Sequence, residues 1–265
     1  MLKQSIIDKI RTEGRWKGNV DGWHSLLAEM GFSIGRRAEH TIINGCNQPD
    51  DSPEAFRAFK NLLDYLKIDH TLLENQYCCG WQALGKPAWA ADNTEDFALW
   101  KEFARETVIK NYRQAEALGA KDITVFCAAC EASYTHNADA TSLEVLTQSQ
   151  LLERYYPGGK LDMEIDYFPG CYRFRKAVTD KPLASEAPLR LLERIEGLRI
   201  NYLDDSLCCR IPDDNDRLAE SLKTKTVVTT CVACYGNITR NLKKRGVYQV
   251  KMLPEILWDA LLTGS

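Results

Sequence analysis

The sequence has no glycine-rich phosphate loop, no serine-hydrolase elbow and no run of closely spaced ferredoxin cysteines. The first absence excludes the usual nucleotide cradle. The second excludes an α/β-hydrolase nucleophile. The third means that the chain carries no compact electron wire of its own. Histidine is scarce: His24, His40, His70 and His136 are all four, and none lies after residue 136. A mixed Cys/His zinc pattern is therefore absent there. Charge is nearly balanced, 34 Lys and Arg against 37 Asp and Glu, for a net charge of -3. Such a balance makes no electrostatic case for nucleic acid or an anionic membrane. No apolar run approaches a membrane span. Met1-Leu2-Lys3-Gln4-Ser5 leads into charged residues, without a signal core of about 7–15 apolar residues. The chain is expected to be cytoplasmic, where thiols stay reduced. Its 265 residues, 45% hydrophobic and 27% charged, are globular values and suggest about two domains.

Against these absences stand ten cysteines in a repeated order. Cys46, Cys78, Cys79, Cys127 and Cys130 read as a lone Cys, a Cys-Cys and a C-x-x-C. Cys171, Cys208, Cys209, Cys231 and Cys234 repeat that order, and no cysteine is left over. In a reducing compartment such usage indicates metal or redox chemistry rather than disulfides.

The segments between the cysteines alternate strand and helix. Thr41 to Ile43 is a short strand that runs into Gly45-Cys46. Ser52-Pro53 starts a helix, with Ser at the N-cap and Pro at N1. Phe56, Phe59, Leu62, Leu63 and Leu66 recur behind it at helical spacing. Thr71 to Leu73 is a weak strand before Cys78-Cys79-Gly80. Thr94 caps a long helix ended by Gly119. Ile123 to Phe126 is a buried strand that delivers Cys127, with a helix after Cys130. In the second half, Ile165 to Phe168 leads to Pro169-Gly170-Cys171. Leu183 to Ile195 reads as a helix and Leu198 to Leu203 as a strand before Cys208-Cys209. Asp213 to Leu222 reads as a helix, and Thr226 to Thr230 as a strand before Cys231. Cys127 and Cys130 recur 104 positions on as Cys231 and Cys234, and at the same offset Gln150 to Glu153 match Pro254 to Leu257. The expected fold is α/β, two tandem similar domains with short, mainly parallel sheets flanked by helices. Cysteines then lie at strand ends, where open α/β sheets bind ligands. Residues 1–40 form an N-terminal extension, read as a packing or docking segment in which Asp21 caps a helix through Leu26, Leu27 and Met30.

C-x-x-C can chelate one metal or neighbouring irons of a cluster. Adjacent cysteines in an extended segment point apart, which suits a cluster with separated metals. Five thiolates per half exceed the four a tetrahedral zinc needs. Iron–sulfur is the leading reading, with zinc in one half the lesser alternative.

On these motifs the chain resembles the CCG-domain (cysteine-rich domain) family, and most closely the catalytic, CCG-bearing component of heterodisulfide reductase. The resemblance runs from about residue 41 to the end, as two domains over 41–159 and 160–265. It implies two non-cubane [4Fe-4S] clusters. Cys46, Cys78, Cys79, Cys127 and Cys130 would hold one; Cys171, Cys208, Cys209, Cys231 and Cys234 would hold the other. The implied reaction is reduction of a disulfide, or oxidation of thiols, on a small or protein-carried substrate. Implied partners are an iron–sulfur electron donor and a flavoprotein, both of the heterodisulfide reductase type. Related CCG proteins also act as electron-transfer subunits in hydroxy-acid or succinate oxidation, and a zinc-stapled scaffold is the third alternative.

Two features depart from the family pattern. The gap from Cys-Cys to C-x-x-C has 47 intervening residues in the first half and 21 in the second. Arg210 stands where the family has Gly. It is a candidate for tuning a cluster or attracting an anionic substrate, or for pairing with Asp204, Asp205 or Asp213. His136, six residues after Cys130, is a candidate proton donor. Arg173, Arg175 and Lys176 read as a solvated basic loop, and Tyr134 and Tyr235 as packing. Trp81, Trp89 and Trp100 in the longer gap read as core.

Overall fold

The structure is a computed structural model. It describes residues 2–18, 20–46, 48, 50–170, 172–243 and 249–264, with the backbone alone at 20, 21, 172–174 and 243. Two helices come first, α1 (Gln4–Glu13) and α2 (Val20–Glu29). Asp21 lies inside α2 rather than capping it, because the helix already begins at Val20. Gly14 and Gly31 follow the two helices with φ of 74° and 80°, the left-handed conformation that commonly ends helices.

The first half then runs β1 (His40–Ile43), α3 (Pro53–Tyr65), β2 (His70–Leu72), α4 (Lys86–Ala90), α5 (Thr94–Ala117), β3 (Asp122–Val125), α6 (Ala128–His136), β4 (Glu144–Thr147) and α7 (Gln148–Tyr155). The second runs β5 (Gly159–Phe168), α8 (Tyr172–Val178), α9 (Ala187–Leu192), β6 (Ile195–Tyr202), α10 (Pro212–Glu220), β7 (Thr226–Thr229), α11 (Val232–Lys243), β8 (Gln249–Met252) and α12 (Leu253–Gly264). The sheets are ordered β2-β1-β3-β4 and β6-β5-β7-β8, and every pairing is parallel. The same order twice is what the repeated cysteine pattern requires. In both sheets the chain reverses its winding between the first and third strands of the half, the place where open sheets form a ligand crevice.

The last strand and helix of each half escaped the sequence reading; the segments matched at the 104-residue offset, 150–153 and 254–257, lie in these two helices. Both begin in the same way. The backbone N–H of Thr147 donates to Gln150 Oε1 (2.9 Å), and that of Met252 donates to Glu255 Oε2 (2.7 Å). Each binds a side chain three residues on to the residue before the helix.

Three local expectations are corrected. Asn93, not Thr94, caps α5, its Oδ1 accepting the Asp96 N–H (2.9 Å). Ser52 precedes α3 as expected, but its hydroxyl accepts from the Gln48 amide and donates to Met252 Sδ (3.5 Å) instead of capping. The helix expected over 183–195 shrinks to Ala187–Leu192, with Pro188 in its first turn, and Ile195 opens β6.

One hydrophobic cluster joins the halves. Phe56, Phe59 and Leu63 of α3 and Phe126 share it with Ile165 and Tyr167 of β5 and Ile256, Leu257 and Ala260 of α12. A second gathers Ile7 and Ile10 of α1 with Trp81, Trp100, Phe103 and Val108 around Cys46, Cys78 and Cys79. Helix α1 is therefore packed against the first cysteine set. Among the described residues no helix is long and apolar enough to cross a membrane.

Candidate metal centre

Every described cysteine lies just past a strand end. Cys46 follows β1, Cys78 and Cys79 follow β2, and Cys127 and Cys130 follow β3. In the second half Cys208 and Cys209 follow β6, and Cys231 and Cys234 follow β7. Cys171 lies outside the described residues. Each lone cysteine is preceded by a left-handed glycine, Gly45 with φ 84° and Gly170 with φ 86°. A Cβ on Gly45 would lie 3.6 Å from Cys130 Sγ, and one on Gly170 would lie 3.7 Å from Cys234 Sγ. The two turns are thus equivalent, each bringing backbone against the C-x-x-C of its own half.

The C-x-x-C motifs open helices. Cys127 is the N-cap of α6, and Cys231 immediately precedes α11. A helix start is electropositive and favours thiolate; at Cys127 the Cys130 thiol acts in the same direction, but Cys231 and burial outweigh both and push the thiol up. The two motifs also meet: the Ala128 N–H donates to the Thr230 carbonyl (3.4 Å), and Cys127 and Cys231 shift each other's ionisation in opposite directions.

The thiols act on one another's ionisation in one line, Cys46–Cys78–Cys79–Cys130–Cys127 in the first half and Cys231–Cys234–Cys209–Cys208 in the second. The Sγ atoms of Cys209 and Cys234 are 3.4 Å apart. Protons are shared unequally along the line. Cys130 holds Cys79, and Cys127 holds Cys231, well below the usual thiol range by hydrogen-bonding to their sulfurs. Cys46 is lowered chiefly by Cys78, with help from Trp16. Cys78, Cys130 and Cys234 are pushed well up by neighbouring thiols and by burial. Cys209 is pushed up to about 12, first by Cys208.

Two cavities flank the seam. Cys46, Cys78, Cys79, Cys127 and Cys130 line one small cavity. Cys209, Cys231 and Cys234 line the other with Arg175 and Lys86. Trp81, Gln82 and Ala129 line both. Trp81 starts a π-helical turn, Trp81–Gly85, directly after Cys79-Gly80; such turns are frequent at functional sites. Of the three tryptophans read as core, Trp81 and Trp100 are buried and Trp89 is half-buried. Trp100 donates its indole N–H to the Cys79 carbonyl (2.9 Å).

Several site residues were not foreseen. Trp16 Nε1 donates to Cys46 Sγ (3.2 Å) and Arg15 Nη2 to the Cys46 carbonyl (3.1 Å). Both come from the segment read as an extension. Asn237 Nδ2 donates to Cys209 Sγ (3.4 Å). Arg175 is not in a solvated loop. It is buried and pairs with buried Glu131 (2.7 Å), while Nη2 donates to the Pro169 carbonyl (3.2 Å). The reading failed because basic residues are usually exposed, and Glu131 is distant in sequence. The Arg173 side chain lies outside what the structure describes.

Arg210 is exposed and lines open cavities beside Cys208 and Cys209. Among the described residues no ion pair to Asp204, Asp205 or Asp213 engages it; Asp204 pairs instead with Arg217 (3.9 Å). His136 ends α6, opposite the end that carries Cys127. It lines neither cysteine cavity, and its pKa is lowered by burial and by Lys101 and Lys181. Tyr134 is packed as expected, its hydroxyl accepting from Asn111 Nδ2 (2.6 Å). Tyr235 is half-buried against the core that joins the halves.

The donors at the seam are sulfur, with N–H groups turned on Cys46 and Cys209, a donor set suited to iron–sulfur chemistry. Among the described residues no three of His, Cys, Asp and Glu converge as ligands of a single ion.

Comparison with known proteins agrees with this chemistry. Residues 40–134 match the family of the cysteine-rich domain, CCG. That span holds all five cysteines of the first set. A cysteine-rich domain of this kind points to an iron–sulfur protein of the electron-transfer type. No curated protein matches the chain. Among solved structures, an aspartate racemase homologue from Pyrococcus horikoshii aligns with 87% of this chain and 97% of its own at 13% identity, with a TM-score of 0.36. So slight a likeness carries no argument.

Proposed function

We propose, from the premise that residues 40–134 are a cysteine-rich domain of the CCG family, that this chain is the iron–sulfur catalytic component of a heterodisulfide-reductase-like complex. It reduces a disulfide or, in reverse, oxidises thiols. The observation that carries the reading is the meeting of the two C-x-x-C turns, with the Ala128 N–H on the Thr230 carbonyl (3.4 Å), between two cysteine-lined cavities with a common wall. The CCG repeat spans 41–159 and 160–265, behind an extension of residues 1–40. Cys46, Cys78, Cys79, Cys127 and Cys130 hold one [4Fe-4S] cluster. Cys171, Cys208, Cys209, Cys231 and Cys234 hold the other, both of the non-cubane kind. When bound, such clusters supply one-electron steps, and cleavage of a disulfide takes two electrons and two protons to give two thiols.

The chain's own residues prepare the site. Trp16 and Asn237 direct N–H groups at Cys46 and Cys209. Gln82 lies on the wall common to both cavities, with its Oε1 buried and without a partner among the described residues. That amide is placed to meet a bound substrate. Arg210 offers charge to an anionic substrate where an open cavity of about 970 Å³ reaches Cys208. Electrons come from a partner, an iron–sulfur protein that is itself fed by a flavoprotein.

A second reading, an electron-transfer subunit for hydroxy-acid or succinate oxidation, is favoured by burial. Cys46, Cys78, Cys79 and Cys127 are each no more than 9% exposed. Iron and sulfide analysis of anaerobically purified protein tests both readings against zinc: zinc without iron removes them. Paramagnetic resonance with added thiols then separates the two. A thiol-induced change in signal supports disulfide chemistry, and an unchanged signal supports electron transfer alone. Cys208→Ala is expected to abolish one signal and leave the other.

A further inference from the structure

The two cysteine sets differ in the charge beside them. Arg15 reaches the first set from the loop after α1. Its side chain is 5% exposed, and its guanidinium lies 4.8 Å from the Trp23 ring centroid. Nη2 donates to the Cys46 carbonyl (3.1 Å) and lies 3.5 Å from Asp50, whose side chain is 48% exposed. Nε and Nη1 are buried and have no hydrogen-bond partner among the described residues. A buried cation with two unspent N–H groups is costly by itself. It becomes favourable beside a group that carries negative charge. Adjacent Trp16 places its indole N–H on Cys46 Sγ (3.2 Å).

Beside the second set the cations are placed differently: Lys86 is half-buried and Arg210 is exposed, so both are screened by solvent. The buried arginine there, Arg175, is matched by buried Glu131 at 2.7 Å. The N–H on Cys209 is the neutral amide of Asn237. A salt-bridged pair contributes little net charge to its surroundings. The counterion of Arg15, Asp50, is half-exposed and meets only Nη2, at 3.5 Å.

We propose that Arg15 and Trp16 are positioning residues that raise the reduction potential of the group held by the first cysteine set above that of the second. The proposal rests on the iron–sulfur reading of the site. Reduction adds negative charge at the sulfurs, and nearby positive charge and N–H donors stabilise the reduced form. The first electron delivered to the protein therefore settles at the first set. The N-terminal segment is thereby part of the redox site, although it contains no cysteine.

The test is a redox titration of the full chain, purified anaerobically and followed by paramagnetic resonance. The first-set signal is the one that survives Cys208→Ala. Arg15→Gln and Trp16→Phe should each lower its reduced-to-oxidised ratio about tenfold at a fixed solution potential, which is about 59 mV for one electron. The second-set signal should stay in place, and Arg15→Lys should recover part of the shift. If Arg15→Gln fails to fold, Trp16→Phe carries the test, since it keeps an aromatic ring and removes only the donor and part of the ring system. Iron content is measured first on every protein. Absence of iron from the wild-type chain removes the reading of the site itself. Iron retained with an unmoved first-set potential, or with both potentials moved together, overturns this inference alone.

Discussion

Gly80 and Arg210 follow equivalent cysteine pairs and hold the chain differently. Gly80 has φ 71°, and a Cβ there would meet Phe103 Cε1 at 3.0 Å and Leu84 Cδ1 at 3.2 Å. Among the described non-glycine residues only Lys67 and Asp92 have positive φ, so Arg210 does not reproduce the left-handed turn. The missing glycine of the second motif is therefore a different backbone path, with the side chain turned to solvent. Gly80→Ala is expected to destabilise the protein by about 1–2 kcal/mol from the backbone conformation alone, with added strain against Phe103. Urea denaturation measures it. Arg210→Gly should leave stability nearly unchanged by the same measurement, since exposed positions away from special features usually change it little. His70 gives a second residue-scale prediction. It is buried in β2, its Nδ1 is 2.8 Å from the Ile68 carbonyl, and burial lowers its pKa. The unfolded chain takes up this proton more readily than the fold. The contribution of the neutral ring is present above the unfolded value of about 6.5 and is lost as pH falls from there toward the lowered folded value. Denaturation midpoints should fall as pH is lowered from about 7.5 to about 5.5, and His70→Phe should flatten that part of the profile.

At the scale of elements, α6 and α8 are joined by the Arg175–Glu131 pair. Glu131 also accepts the Ala184 N–H (2.5 Å) and so ties down the chain before α9. Removing one partner of a buried pair leaves an uncompensated charge and costs about 3–5 kcal/mol. Arg175→Met should show that loss in denaturant, and adding Glu131→Gln should recover much of it. Strands β1, β3, β5 and β7 were legible because their β-branched and apolar runs are local. Helix α3 was legible from apolar spacing and Pro53, and α5 to within one residue of its cap. Strands β4 and β8 were not, since Glu144–Thr147 and Gln249–Met252 are short and mixed in polarity, and pairing with β3 and β7 defines them. The helix expected over 183–195 failed for the opposite reason. Its apolar residues have helical spacing, but Ile195 is taken by pairing with Gly159 in the second sheet.

At the scale of the whole molecule, the repeat does not make two separable bodies. Helix α12 of the second half packs on α3 of the first, and Tyr156 OH donates to the Leu257 carbonyl (3.2 Å). A chain cut between the halves would expose Phe56, Phe59, Ile256 and Leu257 together. Fragments 1–158 and 159–265 are expected to be unfolded or aggregated when made alone, by circular dichroism and size exclusion. The intact chain is expected to unfold in one transition by calorimetry. Two well-separated transitions, each matching an isolated fragment, would contradict the shared core. The seam also places the two C-x-x-C motifs side by side, because the Ala128 N–H meets the Thr230 carbonyl only when both halves are docked.

The sequence by itself determined the number, order and strand-end placement of the cysteines, and with them two parallel α/β sheets. Those are local or repeated signals: β-branched runs, helix starts, and a motif played twice. Only the tertiary structure decided what surrounds the thiols. Arg15 reaches the Cys46 carbonyl across 31 positions and Arg175 reaches Glu131 across 44. No periodicity encodes such contacts. They follow from the packing of α1 on the first sheet and of one half on the other, where burial makes an isolated charge or N–H costly enough to fix its partner.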